Sequence, residues 1–185
     1  MEELAVRMFE GEGESLIKNI TAITLPEGLK RLEKNSLYSE VVSATEVTIP
    51  ASVEYVGTYF LRGKTLKKIT FKGSPVLADN SVGSDYKLIH FMSQTPPAVG
   101  KYSFQSAHLM VVAPDIASIP VYRTTLSGHW GVEKGYELSV YGGLKEADNV
   151  YYSAMEDGNA CAIYFDGTQT SVALSKTIQI GGAAR

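Results

Sequence analysis

The chain has 185 residues, of which 44% are hydrophobic and 20% are charged, and its formal net charge at pH 7 is -3. These fractions are ordinary for a folded domain and exclude a disordered chain. The net charge is negative and no run of Lys or Arg forms a basic patch, so we expect no nucleic-acid partner.

The N-terminal segment predicts a chain that is part of a longer protein. Met1 to Glu3 has no basic start, and no apolar run is long enough for a signal peptide or a membrane span. We therefore expect no membrane insertion within this chain. Leu4 to Phe9 and Leu16 look like the end of another repeat entered partway, which indicates a fragment whose export signal would lie upstream.

A strand-like pattern recurs along the chain at steps of 24, 22, 20 and 22 residues. Each copy has two apolar residues that flank one residue of the opposite face, as expected of a short strand with one buried side. The five copies are Ile23/Leu25, Val47/Ile49, Ile69/Phe71, Ile89/Phe91 and Val111/Ala113. A fixed period of this length predicts a solenoid in which five rungs stack as a parallel sheet.

The second half of the unit also recurs, as Leu32 to Leu37, Val56 to Leu61 and Val99 to Phe104. Gly57 and Gly100 are predicted to occupy tight bends where a side chain would clash. The large residues that end the three segments, Leu37, Leu61 and Phe104, are expected to stack as a hydrophobic spine.

One unit departs from the pattern. Lys72 stands where Pro26 and Pro50 follow the strand in earlier units, and Pro75 replaces an apolar residue. We therefore expect irregular backbone between Ile69 and Lys87.

A short helix is predicted near residues 118–127. Ile116, Ile119, Tyr122 and Leu126 fall at spacings of 3, 3 and 4, which places them on one helical face. Ser118 is expected to cap the first turn, Pro120 is tolerated within it, and Gly128 follows the end. Such a helix would cover the open hydrophobic end of the last rung.

After Trp130 the repeat stops and strand-like segments with turn signals follow. The predicted strands are Tyr136–Tyr141, Val150–Met155, Cys161–Phe165 and Thr170–Ile180, and the predicted turns are Gly142–Gly143, Asp157–Asn159 and Asp166–Gly167. We divide the chain into a solenoid with a partial N-terminal repeat over residues 1–143 and a β-rich extension over 144–185. The extension either packs against the solenoid end or begins a module that is cut short.

These residues resemble the BspA-like leucine-rich repeat family of bacterial cell-surface proteins. The family unit reads roughly as apolar-x-apolar-Pro, two further apolar positions, then Gly-x-x-Ala-Phe, and the resemblance covers about residues 16–131. Its most specific part is the ending, which comprises Thr95 to Pro97, Val99, Gly100, Ser103, Phe104, Leu109 to Pro114, Ser118, Tyr122, Gly128 and Trp130. Ser36, Phe60 and Ser103 depart from the family's Ala, and Leu37 and Leu61 depart from its Phe.

The resemblance implies a leucine-rich repeat solenoid, an α/β-type superhelix with a parallel sheet of short strands, and a closing helix; the β-rich extension predicted above follows it. It also implies a protein at the cell surface or secreted, acting as a non-enzymatic protein-binding or adhesion module. Its partner would be a host or matrix protein or another surface protein. The alternatives are a structural spacer within a longer surface protein and a carbohydrate-binding surface module.

The residues that carry chemistry predict neither an enzyme nor a metal or cofactor site. His90, His108 and His129 occur singly, without a ligand partner at metal-binding spacing. Ser127 and His129 are close in sequence, but no nucleophile elbow precedes a helix, so helix-ending residues are the preferred interpretation. We therefore name no catalytic residue.

The outward positions of the rungs are the candidate ligand surface. If the paired apolar residues point inward, two columns run down the open face of the sheet, and they begin with Ala22 and Thr24. The ligand-binding candidates that follow are Glu46, Thr48, Lys68, Thr70, Leu88, His90, Met110 and Val112. The face ends in apolar residues, which favours a partner. The alternative is that the C-terminal strands fold back over Leu88 and Met110.

Overall fold

The computed structural model describes residues 3–4, 21–38, 44–62, 66–82, 88–104, 109–128, 139–157, 159–165, 179–180 and 183–184. The strands before the helix are β1 (Glu3–Leu4), β2 (Ile23–Thr24), β3 (Arg31–Leu32), β4 (Leu37–Tyr38), β5 (Glu46–Ile49), β6 (Tyr55–Val56), β7 (Leu61–Arg62), β8 (Lys68–Phe71), β9 (Val76–Leu77), β10 (Leu88–Phe91), β11 (Ala98–Val99) and β12 (Met110–Ala113). The helix α1 (Ile119–Leu126) follows a 3-10 turn (Ile116–Ser118). The last strands are β13 (Val140–Ala147), β14 (Val150–Ala154), β15 (Ala160–Phe165), β16 (Gln179–Ile180) and β17 (Ala183–Ala184).

The described residues form a parallel-strand solenoid with one short helix. Its front sheet consists of β2, β5, β8, β10, β12 and β13, all parallel, and it continues through β14 and β15 as antiparallel strands. The inward residues are in register in one line, namely Ile23, Val47, Ile69, Ile89 and Val111. The predicted stack of five rungs is confirmed, and Val140 adds a sixth residue to the line.

The return segments of each unit form two further ladders of short strands. The second ladder consists of β1, β3, β6, β9 and β11, again in parallel register. The third pairs Leu37 with Leu61 in β4 and β7, and bridges Val82 to Phe104. In the part of the chain that the structure describes, these return segments contain strands and no helix.

The unit that was expected to be irregular is regular as far as it is described. Leu77 in β9 pairs with Val56 and Val99 on either side, and the amide of Val82 donates to the carbonyl oxygen of Ser103 at 2.8 Å. The expectation of irregular backbone from Ile69 to Val82 is therefore wrong, because backbone pairing with two regular neighbours overrides the altered sequence. Residues 83–87 lie outside the described part.

Each described unit has a residue with left-handed backbone angles at the same repeat position, three residues after the second-ladder strand. These residues are Asn35 (φ 56°), Tyr59 (φ 49°), Asn80 (φ 52°) and Tyr102 (φ 55°). Asn tolerates this region, whereas a residue such as Tyr is held there at a cost of about 1–2 kcal/mol. The turns stack through backbone bonds, such as that from the amide of Tyr59 to the carbonyl oxygen of Asn80 at 2.9 Å.

Replacing Tyr102 with Asn is expected to stabilise the protein. Tyr102 is 42% exposed, so little packing is lost, and Asn relieves part of the left-handed strain. We expect the free energy of unfolding to rise by about 0.5–1 kcal/mol in urea denaturation. A loss of more than about 1 kcal/mol would show that the ring packs more than its exposure indicates.

The two glycines predicted at tight bends lie where adjacent rungs approach closely. A Cβ atom on Gly57 would lie 2.7 Å from the backbone nitrogen of Lys34, and one on Gly100 would lie 2.6 Å from that of Asp79. Neither glycine has a positive φ, so close backbone approach, and not conformational freedom, is the reason that a side chain is excluded.

The core lies between the ladders and is closed by α1. Aromatic rings continue from Phe71 to Phe91, with centroids 5.2 Å apart, and on to Tyr122 of the helix at 5.3 Å. Ile119, Tyr122 and Leu126 are buried on one face, as the spacing predicted. The Tyr122 hydroxyl donates to the carbonyl oxygen of Ser93 at 2.7 Å, which fixes the helix to the preceding loop.

The cap of this helical segment differs from the prediction. Ser118 has helical backbone angles and makes no side-chain cap bond at the start of α1. Asp115 caps the preceding 3-10 turn instead, since its Oδ1 accepts from the Ser118 amide at 2.9 Å. Hydrogen bonds from Gln94 and Ser118 lower the pKa of Asp115. Pro120 lies in the first turn and Gly128 follows with φ 82°.

The C-terminal strands continue the front sheet. β13 begins parallel to β12 and continues antiparallel to β14, with a register shift between Gly142 and Leu144. The predicted Gly142–Gly143 turn is therefore wrong, because these glycines form a bulge inside a long strand, where Gly143 has φ 70°. The turn to β14 lies at Asp148–Asn149, both with positive φ. The boundary predicted between residues 143 and 144 falls within this strand.

The remaining predictions for the C-terminal segment are met only in part by the described residues. At the predicted Asp157–Asn159 turn, the Asn159 amide donates to Asp157 Oδ1 at 2.9 Å. Residues 129–138 and 166–178 lie outside the described part, which includes the predicted Asp166–Gly167 turn, most of the strand predicted over Thr170–Ile180, and the start of the strand predicted over Tyr136–Tyr141. β16 and β17 pair antiparallel.

Candidate binding face

The two outward columns that the sequence predicts are present on the front sheet. Glu46, Lys68, Leu88 and Met110 align in one column. Thr24, Thr48, Thr70, His90 and Val112 align in the other, which Tyr141 of β13 extends. The period-2 alternation of each strand therefore placed these side chains correctly.

The apolar end of this face is covered by the C-terminal strands. Leu88 and Val112 are fully buried in a cluster with Tyr151, and Met110, Leu144, Tyr164 and other partly buried residues pack around them. The expectation of an exposed apolar patch is therefore wrong for Leu88 and Val112, and the alternative that the C-terminal strands fold back is correct. The bulge at Gly143 redirects β13, so the β14–β15 hairpin shields these side chains from water.

A polar clasp fastens the hairpin to the middle of the face. We use this term for Glu46, Lys68 and Tyr151. The Tyr151 hydroxyl donates to Glu46 Oε1 at 2.8 Å across 105 residues of sequence, and the Lys68 ammonium donates to the same hydroxyl at 3.2 Å. Lys68 Nζ also lies 2.6 Å from Glu46 Oε2. Each of the three polar groups therefore has a hydrogen-bond or ion-pair partner within the clasp.

The clasp holds Tyr151 in its neutral, donating form. Burial raises the pKa of the Tyr151 hydroxyl, and the hydrogen bond to Glu46 and the charge of that carboxylate raise it further. The Lys68 ammonium also lies 4.7 Å from the centroid of the Tyr151 ring, within cation–π distance. This arrangement joins two parts of the fold and offers no free nucleophile or base.

His90 lies beside the clasp, partly buried. Burial lowers its pKa from the usual 6.5 to about 4, and the positive charge of Lys68 adds to the effect. The imidazole is therefore neutral at physiological pH, and its protonation would place a second positive charge next to Lys68.

The free energy of unfolding is expected to fall as the pH drops from about 6.5 to about 4, since the unfolded chain binds a proton at residue 90 that the folded chain does not. Above that window His90 is neutral in both states and contributes no slope. The contribution is at most about 3 kcal/mol. Urea denaturation of the His90→Gln variant at about pH 7 and about pH 4.5 checks it: the variant should lose less stability on acidification than the unmodified protein, and equal losses would contradict the assignment.

Beyond the clasp the face opens into a polar groove. We use this name for the groove of about 520 Å³ at the β2–β5 end, where the outward residues Thr24, Glu46 and Thr48 are exposed. The loops that follow the strands supply its rim: Pro26, Glu27, Pro50 and Lys72. Lys72 Nζ lies 3.2 Å from Glu27 Oε1, so this ion pair joins loops separated by two rungs.

The predicted site residues therefore separate into three groups. Glu46 and Thr48 are exposed and line the polar groove; Lys68, His90 and Met110 are partly buried; and Thr70, Leu88 and Val112 are buried. Sequence reasoning missed Glu27 as a rim residue. Lys72 was noted only as a departure from proline, although a charged residue at that repeat position was the available signal for a rim group.

The histidines and serine considered for chemistry do not assemble into a site in the part of the chain that the structure describes. His108 and His129 lie outside it, and Ser127 is exposed at the end of α1. Among the described residues, no group of three or more His, Cys, Asp or Glu side chains is placed to hold a metal ion.

None of the helices described here is long and apolar enough to cross a membrane. No protein-family model matches the chain, and comparison with curated proteins and with solved structures finds no significant match.

Proposed function

We propose that this chain is a non-enzymatic protein-binding module of the leucine-rich repeat type, and that the polar groove is where it contacts its partner. The supporting observation is that exposed polar residues are held on a hydrogen-bonded sheet: Thr24 and Thr48 are register partners, and Glu46 precedes Thr48 on the same strand. A surface held by stacked rungs loses little conformational freedom on binding, which favours recognition of a protein segment laid along the solenoid.

The chemistry of the groove favours a polar partner surface with balanced charge. Glu46 is paired with Lys68 and Glu27 with Lys72, so the carboxylates carry no unbalanced charge. The Thr hydroxyls and the outer parts of these ion pairs can donate and accept hydrogen bonds. By resemblance to surface repeat proteins, the partner is a host or matrix protein or another surface protein, and the location is the cell surface or outside the cell.

Binding to a panel of purified extracellular-matrix proteins, measured on a biosensor surface, tests this proposal. Thr48→Arg places a bulky charge in the groove without touching the core and should weaken binding about tenfold or more. Thr124→Arg adds the same charge on the exposed side of α1 and serves as the matched control. Equal binding by the two variants would exclude the polar groove as the contact surface.

A structural spacer is the second candidate. It is favoured by the burial of Leu88 and Val112, which removes the apolar part of the expected ligand surface. A spacer has no partner, so it predicts that the unmodified protein binds none of the panel proteins while remaining folded. The two candidates therefore differ in the result for the unmodified chain alone.

A further inference from the structure

We infer that Tyr59 and Tyr102 form a second binding surface, separate from the polar groove, for a neutral β-1,4-linked oligosaccharide. Both tyrosines occupy the recurring left-handed turn that separates the second and third ladders, and the unit between them places Asn80 at the same position. We call Tyr59, Asp79, Asn80 and Tyr102 the tyrosine patch.

The spacing of the two tyrosine positions matches an extended glycan. Tyr59 and Tyr102 are two rungs apart, and rungs repeat at about 4.8 Å, so their equivalent backbone atoms are separated by about 9.6 Å along the solenoid. In a β-1,4-linked chain each sugar is flipped relative to the last, and alternate rings present the same face. The repeat is one disaccharide, which is about the distance between the two tyrosines.

Both tyrosine side chains are accessible to solvent on a hydrogen-bonded backbone. Tyr102 is 42% exposed and Tyr59 is partly exposed. Their turns are hydrogen-bonded to the turn at Asn80, from the Tyr59 amide to the Asn80 carbonyl oxygen and from the Asn80 amide to the Lys101 carbonyl oxygen. Because the backbone is held in this way, only the two side-chain torsions of each tyrosine are ordered when a sugar packs on its ring.

The groups between the rings suit sugar hydroxyls. Asp79 is exposed, and its Oδ1 accepts from the Lys101 amide at 2.7 Å, which fixes the carboxylate. Among the described residues Oδ2 has no hydrogen-bond partner, so it can accept from a ligand hydroxyl. The Lys101 ammonium lies over one face of the Tyr102 ring, 5.6 Å from its centroid, so a sugar would stack on the opposite face. Asp79 and the neighbouring, exposed Lys101 carry opposite charges and leave the tyrosine patch without net charge, which favours an uncharged ligand.

The probe for this inference is cellohexaose, with maltohexaose as the stereochemical control. Calorimetry or chemical-shift titration of the full chain should detect binding of cellohexaose at millimolar concentrations. Maltohexaose has the same sugars in an α-linked, curved chain whose alternate rings do not align, and it should bind more weakly.

The variants Tyr59→Asn and Tyr102→Asn remove each ring but keep a residue suited to the left-handed turn, as at Asn35 and Asn80. Each should weaken cellohexaose binding by about tenfold, and the double variant should abolish it without lowering the melting temperature. Tyr55→Asn, which removes a ring from the adjacent ladder, is the control. Thr48→Arg should leave this binding unchanged, which separates it from the polar groove.

Three results would overturn the inference. The unmodified chain could fail to bind cellohexaose at millimolar concentrations, the double variant could bind as well as the unmodified chain, or maltohexaose could bind equally well. If the double variant loses binding to a matrix protein and the unmodified chain binds no oligosaccharide, the tyrosine patch is a protein contact and the glycan assignment is wrong.

Discussion

Replacing Leu88 with Ala is expected to lower the free energy of unfolding by about 3 kcal/mol, because it removes a fully buried side chain from beneath the β14–β15 hairpin. Leu88 points away from the solenoid core, so this cost arises only if the hairpin covers the outward face. The measurement is equilibrium denaturation in urea.

Met92→Ala is the matched control for Leu88. Met92 follows the same strand but is 51% exposed, so its truncation should change stability by less than about 0.5 kcal/mol. Equal, small effects at both positions would mean that Leu88 is exposed to solvent and that the face is open. A large loss at Leu88 also means that this residue cannot be used to test ligand binding.

Replacing Gly57 with Ala is expected to destabilise the protein by about 2–3 kcal/mol, since the added Cβ would lie 2.7 Å from the Lys34 nitrogen and 2.9 Å from the Glu33 carbonyl carbon. Both atoms belong to the backbone of the adjacent rung and cannot rotate away. Two rungs would have to separate, which weakens the bond from the Gly57 amide to the Leu32 carbonyl oxygen.

Thr58→Ala is the control for Gly57, because it changes the adjacent, partly exposed residue of the same turn without adding volume. We expect a change of less than about 0.5 kcal/mol in the same urea experiment. If Gly57→Ala is as mild as the control, the spacing between these rungs is looser than the geometry indicates.

The front sheet could be predicted from sequence because local alternation determines which side chains are inward. Ile69 and Ile89 occupy the same inward position in successive units, and stacking brings them into register. Gly57 and Gly100 were also predictable, since only a missing side chain permits two backbones to approach this closely.

The covering of the face could not be predicted in the same way. Tyr151 and Glu46 are 105 residues apart, and no periodicity connects them. The fold-back depends on the bulge at Gly143, which reads in sequence as an ordinary turn signal. Gly142 and Gly143 form a bulge and not the predicted turn, and the hairpin that follows covers Leu88.

The tyrosine patch could not be predicted from sequence for a different reason, which is the residue type at the left-handed turn. Asn35 and Asn80 carry a local signal for a left-handed residue, since Asn is enriched there. Tyr59 and Tyr102 carry none, and each adopts positive φ in a turn that is hydrogen-bonded to the neighbouring turn at Asn80. The repeat alignment, not the residue type, is the signal that identifies this turn.

The most direct test of the folded-back solenoid is an NOE spectrum of a sample labelled at Ile, Leu and Val methyl groups and at Tyr rings. Stacked rungs predict cross-peaks between the methyl groups of Ile69 and Ile89, and the covered face predicts cross-peaks from the Tyr151 ring to the methyl groups of Leu88. A well-dispersed spectrum that lacks both sets of cross-peaks would contradict the stacking and the covering together.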